Sequence, residues 1–210
     1  MIRVIIADDH PIVRAGLRQI IMEDRNIVIL GEASNGAELL GNVRRQDYDV
    51  VLLDLTMPGM DGLDVLKQLK IEKPHLPVII LTIHPESQYA VRILKAGASG
   101  YLTKDSASDE LIKAIHKVCD GGKYINQSLA EKIVFALGEE SDKLPHETLS
   151  DREYQVLCLI GAGKTISQIA DTLALSVKTV STYRSRILEK MRMENNAELI
   201  HYAIQNGLAE

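Results

Sequence analysis

A chain of 210 residues, 46% of them apolar, is long for one compact domain and comfortable for two. Its formal charge of −5 taken alone argues mildly against a nucleic-acid partner, and no stretch approaches the ~18 to 20 uninterrupted apolar residues of a membrane span. Cys119 and Cys158 lie far apart inside amphipathic patterns and read as buried free thiols, and Met1-Ile2-Arg3 runs into a strand pattern without a signal-peptide layout, so the expectation is a soluble cytoplasmic protein.

In chain order, short β-branched apolar runs at 3–7, 27–31, 50–54, 78–82 and 100–103 alternate with patterns of period 3.6 at 11–23, 36–45, 62–71, 86–96 and 106–119. Five strands alternating with five helices predict an α/β doubly wound fold, a parallel sheet covered on both faces. Gly121-Gly122 breaks the alternation, a further helix is expected at 126–137, and the polar segment 139–147 with its proline reads as a linker. Beyond it only helices are visible, at 151–162, 166–174, 177–192 and 196–206. Ser150-Asp151-Arg152-Glu153 and Thr165-Ile166-Ser167-Gln168 match the capping box at the first two starts. The expected division is 1–120, a linker with a helix at 121–147, and a small all-α domain at 148–210.

Chemistry-bearing residues cluster at strand ends. Asp8 and Asp9 close the first run, Asp54 the third and Thr82 the fourth, while Lys104 follows the fifth. In an open parallel sheet these carboxyl ends border the ligand crevice. Crowded carboxylates repel, and a Mg2+ ion with oxygen ligands removes the conflict. A carboxylate beside such an ion can attack a phosphoryl donor and form an acyl phosphate, with Lys104 and the Thr82 hydroxyl holding the phosphoryl oxygens. His10 and His84 flank the pocket and read as solvated loop histidines, because Mg2+ prefers oxygen.

Asp8-Asp9, Asp54 followed by Pro58 and Gly62, Thr82, Tyr101 and Lys104, found in this order, resemble the receiver domain of two-component response regulators over residues 1 to about 120. The resemblance implies that Asp54 is the phospho-acceptor, that Asp9 and Asp54 ligate Mg2+ directly with Asp8 acting through water, and that the Thr56 carbonyl completes the protein ligands. It also implies a switch in which Thr82 closes on the phosphoryl group and Tyr101 changes burial, and a sensor histidine kinase as partner. Most receivers carry a small residue after the hydroxyl, where Ile83 and then His84 stand here. Slower hydrolysis of the phosphorylated form than in an Ile83→Ala variant is therefore expected.

Positive charge is concentrated at 176–193, where Lys178, Arg184, Arg186, Lys190 and Arg192 face the single acid Glu189. The helices at 166–174 and 177–192, joined by Leu175-Ser176, have helix-turn-helix spacing. Val177, Val180, Ile187, Leu188 and Met191 form the expected apolar stripe of the second. Lys178, Thr179, Ser181, Thr182, Ser185 and Arg186 then face outward, with Arg184, Arg186 and Lys190 suited to phosphates and the hydroxyls and Lys178 to base edges. Gly161-Ala162-Gly163-Lys164-Thr165 ends like a phosphate-binding loop but lacks the earlier glycine and preceding strand, so it reads as a helix stop and turn.

Leu149-Ser150-Asp151-Arg152-Glu153, Ile169-Ala170, the run from Leu175 to Val180 and Ile187-Leu188-Glu189-Lys190-Met191 resemble the LuxR-type four-helix DNA-binding domain. The whole chain is thus similar to NarL/FixJ-type transcriptional regulators. That implies phosphorylation-controlled homodimerisation on paired half-sites of double-stranded DNA, without a membrane partner. In this family the last helix often forms a dimer contact, although Leu199, Ile200, Tyr202 and Ala203 suit packing within the domain equally well. Many relatives carry histidine at Tyr183 and a cation at Ser181, so base preference does not transfer. Two other classes stay open: a haloacid-dehalogenase-like hydrolase using an aspartyl nucleophile, and a receiver that signals by protein contacts alone.

Overall fold

A computed structural model of the chain describes residues 1–82, 88–125, 129–130, 144–173 and 175–208. The helix expected at 126–137, most of the linker expected at 139–147, and Ile83 and His84 lie outside the described residues. The chain divides into two compact units, the first holding 1–86 and 90–131 and the second consisting mainly of 132–210.

In the first unit β1 (Ile2–Ala7), β2 (Ile27–Ala33), β3 (Val50–Asp54), β4 (Val78–Thr82) and β5 (Gly100–Thr103) form one parallel sheet in the order β2-β1-β3-β4-β5. Every residue of β3 and β4 is buried, which is why their sequences carry no polar alternation. Successive residues point to opposite faces. Val4, Ile6, Val50, Leu52, Ile79 and Leu81 pack with Leu17, Ile21, Leu111, Ile115 and Val118 of α1 (Pro11–Ile21) and α5 (Ala107–Cys119). The alternate residues Ile5, Val51, Leu53 and Ile80, also sealed from solvent, face the other side.

Three shorter helices complete this unit: α2 (Gly36–Arg45), α3 (Gly62–Glu72) and α4 (Gln88–Lys95). Asn35 caps α2 by accepting from the Glu38 amide, and Asp61 caps α3 through the Leu63 amide. Gly62 sits where a Cβ would come 2.5 Å from Leu55 Cα and 2.8 Å from the Asp54 carbonyl oxygen, so α3 begins in close contact with the loop that follows β3.

The second unit holds a short 3-10 helix (Pro145–Thr148), α6 (Asp151–Gly161), α7 (Ile166–Thr172), α8 (Val177–Met191) and α9 (Asn196–Gln205). Both expected capping boxes form, Ser150 with Glu153 and Thr165 with Gln168. Helix α6 ends with the Lys164 amide on the Leu159 carbonyl and the Gly163 amide on the Ile160 carbonyl, with Gly163 at φ +75°. That is the hydrogen-bond pattern of a glycine-terminated helix, and it accounts for the glycines that look like a phosphate loop. Tyr154, Val156, Leu157, Ile160, Ile169, Val180, Ile187, Leu199 and Ala203 build the core. Val177, expected in the apolar stripe, is instead 51% exposed, because it opens α8 before the helix meets its neighbours.

Candidate functional site

Strand order reverses between β1 and β3, so the crevice of the first unit opens beyond their carboxyl ends. Register places the chemistry there. Ala7 lies beside Leu53, Asp54 beside Leu81, and Thr82 beside Thr103, so residues 8, 54, 82 and 104 end on one edge. The Lys104 amide donates to the Thr82 carbonyl at 2.7 Å, which keeps the two loops in step.

Asp8, Asp54 and Thr82 are at most 2% exposed. Lys104 Nζ stands 2.9 Å from Asp54 Oδ2 and 2.7 Å from Asp8 Oδ2, bridging the first and third strand ends. The Thr56 amide donates to Asp54 Oδ1 at 3.2 Å, and the His10 amide donates to Asp8 Oδ1 at 2.8 Å. Tyr101 is 4% exposed, more deeply placed than a half-buried switch residue, with its amide donating to the Tyr124 carbonyl.

Burial pushes the Asp54 carboxyl above its ordinary value. The Lys104 hydrogen bond and charge oppose this, and the Asp8 charge adds to it. Burial would lower the Lys104 ammonium, but its hydrogen bonds and charge contacts with Asp8 and Asp54 outweigh that and raise it. One lysine thus serves two buried carboxylates, and the net rise at Asp54 shows that it does not neutralise them fully. Asp8 Oδ2 and Asp9 Oδ1 are buried without a partner in hydrogen-bond geometry, although Lys104 and His10 stand close to them. Orphaned acceptors and surplus negative charge fit a hard dication with oxygen ligands. Asp8, Asp9, His10 and Asp54 each offer a ligand atom, all within 4.8 Å of one another.

Two residues of this pocket escaped sequence reasoning. Arg14 donates to the Asp8 carbonyl at 2.6 Å and to Glu32 Oε2 at 3.1 Å, bracing the acidic loop from α1. The sequence signal was a cation one turn into the helix after the acids. His10, expected to be merely solvated, places Nδ1 at 2.8 Å from Asp9 Oδ1.

On α8 the side chains of Lys178, Ser181, Thr182, Ser185 and Arg186 are exposed, and Thr179 is half-buried. The hydroxyls of Ser181, Thr182 and Ser185 donate to the carbonyls of Val177, Lys178 and Ser181 one turn back, at 2.9, 3.0 and 3.1 Å. Their lone pairs remain turned outward. Two cations expected to face phosphates are engaged inside the domain. Lys190 Nζ donates to the buried Glu153 at 2.6 Å, and Arg184 Nε donates to Asn196 Oδ1 at the start of α9. The outward positive charge of the helix is therefore Lys178 and Arg186, with Arg192 just past its end, where it adopts the left-handed conformation at φ 55°.

Comparison with known proteins gives matches to both units. The response regulator receiver domain matches residues 4–116, and the luxR family of bacterial regulatory proteins matches residues 147–203. The chain is 37% identical over 209 residues to the response regulator UvrY of Escherichia coli (strain K12), covering 99% of this chain and 96% of UvrY. It is 37% identical over 210 residues to the response regulator GacA of Pseudomonas protegens, covering 100% and 99%. Among solved structures, a complex of the two-component response regulator RcsB with DNA aligns at TM-score 0.60 and 30% identity over 96% of each chain. RcsB of Salmonella enterica serovar Typhimurium, bound to promoter rprA in the presence of the phosphomimetic BeF3-, aligns at 0.65 and 31% over 96% of this chain and 97% of that one.

Proposed function

The chain belongs to the two-component response regulators of the NarL/FixJ family, transcription regulators with a receiver and a LuxR-type DNA-binding domain, and from that premise we propose that phosphorylation of Asp54 by a sensor histidine kinase controls its grip on DNA. Family membership sets aside the hydrolase alternative. The observation that carries the proposal is the meeting of Asp8, Asp54 and Lys104 within 2.9 Å at the point where strand order reverses.

Asp8, Asp9, Asp54 and the Thr56 carbonyl would hold Mg2+. When bound, the ion supplies charge that neutralises the phosphoryl oxygens and lets three acids coexist. Asp54 attacks phosphorus with one carboxylate oxygen. The O–P bond forms as the bond to the donor's leaving group breaks, giving an acyl phosphate on Asp54. Lys104, already 2.9 Å from Asp54, turns to a phosphoryl oxygen. The Thr82 hydroxyl donates to another, and Tyr101 answers that movement. The receiver thereby catalyses its own phosphoryl uptake and loss, without being an enzyme for another substrate. Because the new charge is retained only in conformations that accommodate it, it shifts the population toward a form that dimerises on paired half-sites.

On DNA, Lys178 and Arg186 are assigned to phosphates and Ser181, Thr182 and Ser185 to base edges, with Thr179 supporting them from the first turn. Arg184 and Lys190, held by Asn196 and Glu153, are assigned to domain stability instead. The working division is 1–120, 121–147 and 148–210, and the site of action is the cytoplasm. Incubation with a small acyl-phosphate donor and Mg2+, read by intact mass, tests the core of this proposal. One phosphoryl group should add to the wild type and none to Asp54→Asn. Equal addition to both would refute the site.

A further inference from the structure

The phosphoryl chemistry leaves one residue of the pocket without a task. His10 occupies the N-cap of α1 but makes no side-chain cap hydrogen bond. Pro11 follows it and confines its backbone to the extended region, φ −91° and ψ 111°. The ring is thereby turned to the acids. Nδ1 lies 2.8 Å from Asp9 Oδ1 and 3.4 Å from Asp8 Oδ1, while the ring stays 63% exposed and open to arriving ions.

Those separations match an edge of a coordination polyhedron. Ligands about 2.0 to 2.2 Å from a first-row ion stand roughly 2.9 Å apart when octahedral and roughly 3.4 Å apart when tetrahedral. Asp54 lies in the same 4.8 Å cluster, and Asp8, 1% exposed, keeps Oδ2 without a partner in hydrogen-bond geometry. Mg2+ has no use for imidazole, whereas Zn2+ and its neighbours bind nitrogen well. We propose that the acidic pocket has a second metal mode, in which a borderline first-row dication of the Zn2+ class is held by His10 Nδ1 with Asp9 and Asp8 and competes with Mg2+. The inference rests on the reading of this pocket as a cation site. Its consequence is that such an ion occupies the place from which Asp54 would be phosphorylated.

The probe is Zn2+ alone, titrated into the full chain without a phosphodonor. Affinity is read by competition with a chromophoric chelator, and the bound ion's ligands by X-ray absorption. His10→Ala changes an exposed side chain and should weaken Zn2+ binding at least about tenfold. Mg2+ affinity measured by calorimetry should stay within about twofold. Asp9→Asn should weaken both ions, which places the Zn2+ here and not at His75, His116 or His201. Equal Zn2+ affinity in wild type and His10→Ala, an all-oxygen shell, or Zn2+ binding untouched by Asp9→Asn would each overturn the inference. A wild-type chain that holds Zn2+ through His10 yet takes up no phosphoryl group would support it while refuting the proposed function.

Discussion

Lys190→Met separates two roles that the linear pattern of α8 confuses. Glu153 is 3% exposed in its side chain, accepts from the Ser150 amide at 2.8 Å, and takes a second hydrogen bond from Lys190 at 2.6 Å. Breaking a buried pair costs about 3 to 5 kcal/mol, but Lys190 is 42% exposed, so water replaces part of the lost contact and about 1 to 2 kcal/mol remains. Amide hydrogen exchange resolves the two units. In α6 and α8 it should accelerate by roughly 5- to 30-fold. Pairing the change with Glu153→Gln, which neutralises the stranded acid, should restore most of the loss. Acidity offers a second reading. Burial would raise the Glu153 carboxyl, but the Lys190 hydrogen bond and the Ser150 cap outweigh it and hold it below its ordinary 4.5. Its contribution is therefore complete above about pH 4.5 and disappears as pH falls through the lower folded value, and this acid sensitivity should be blunted in Lys190→Met. Unchanged exchange combined with a salt slope of DNA binding reduced by about one would refute the reasoning and return Lys190 to the phosphates.

Lys178→Ala with Arg186→Ala should lower DNA affinity and reduce the slope of log K against log salt by about two, while phosphoryl uptake at Asp54 is unchanged; fluorescence anisotropy across a salt series reads the first and intact mass the second. Gly62→Ala forces a Cβ against the Leu55 backbone and the Asp54 carbonyl, so thermal denaturation should show a loss of about 1 to 3 kcal/mol and phosphoryl uptake should slow. Gly41→Ala, inside α2 with nothing within 4 Å of the added Cβ, should instead stabilise by about 0.5 to 1 kcal/mol.

Local rules carried the reading where they acted alone. Strands β3 and β4, buried on both faces, announce themselves as unbroken apolar runs, and both capping boxes set helix starts within a few residues of chain. The acidic edge was legible because a parallel sheet sends every strand end the same way. Edge strand β2 runs two residues beyond Gly31, through Glu32, an acid that no strand pattern invites; Arg14 and Arg18 of α1 hold it there. Lys190 and Arg184 were misdirected for a similar reason. Their partners stand 37 and 12 residues away and depend on how helices pack, which periodicity does not encode. His10 looked solvated because its exposure is real; only the fold brings Asp9 within reach of its ring.

Affinity of the full chain for promoter DNA, measured with Mg2+ before and after a small acyl-phosphate donor, in wild type and Asp54→Asn side by side, bears most directly on the claim that a carboxylate in the sheet crevice governs the DNA-binding unit. The account predicts at least tenfold tighter binding in the treated wild type, a shift of about 1.4 kcal/mol, and no change in the variant. Equal tightening in both chains, or none in a wild type shown to carry the phosphoryl group, would contradict it.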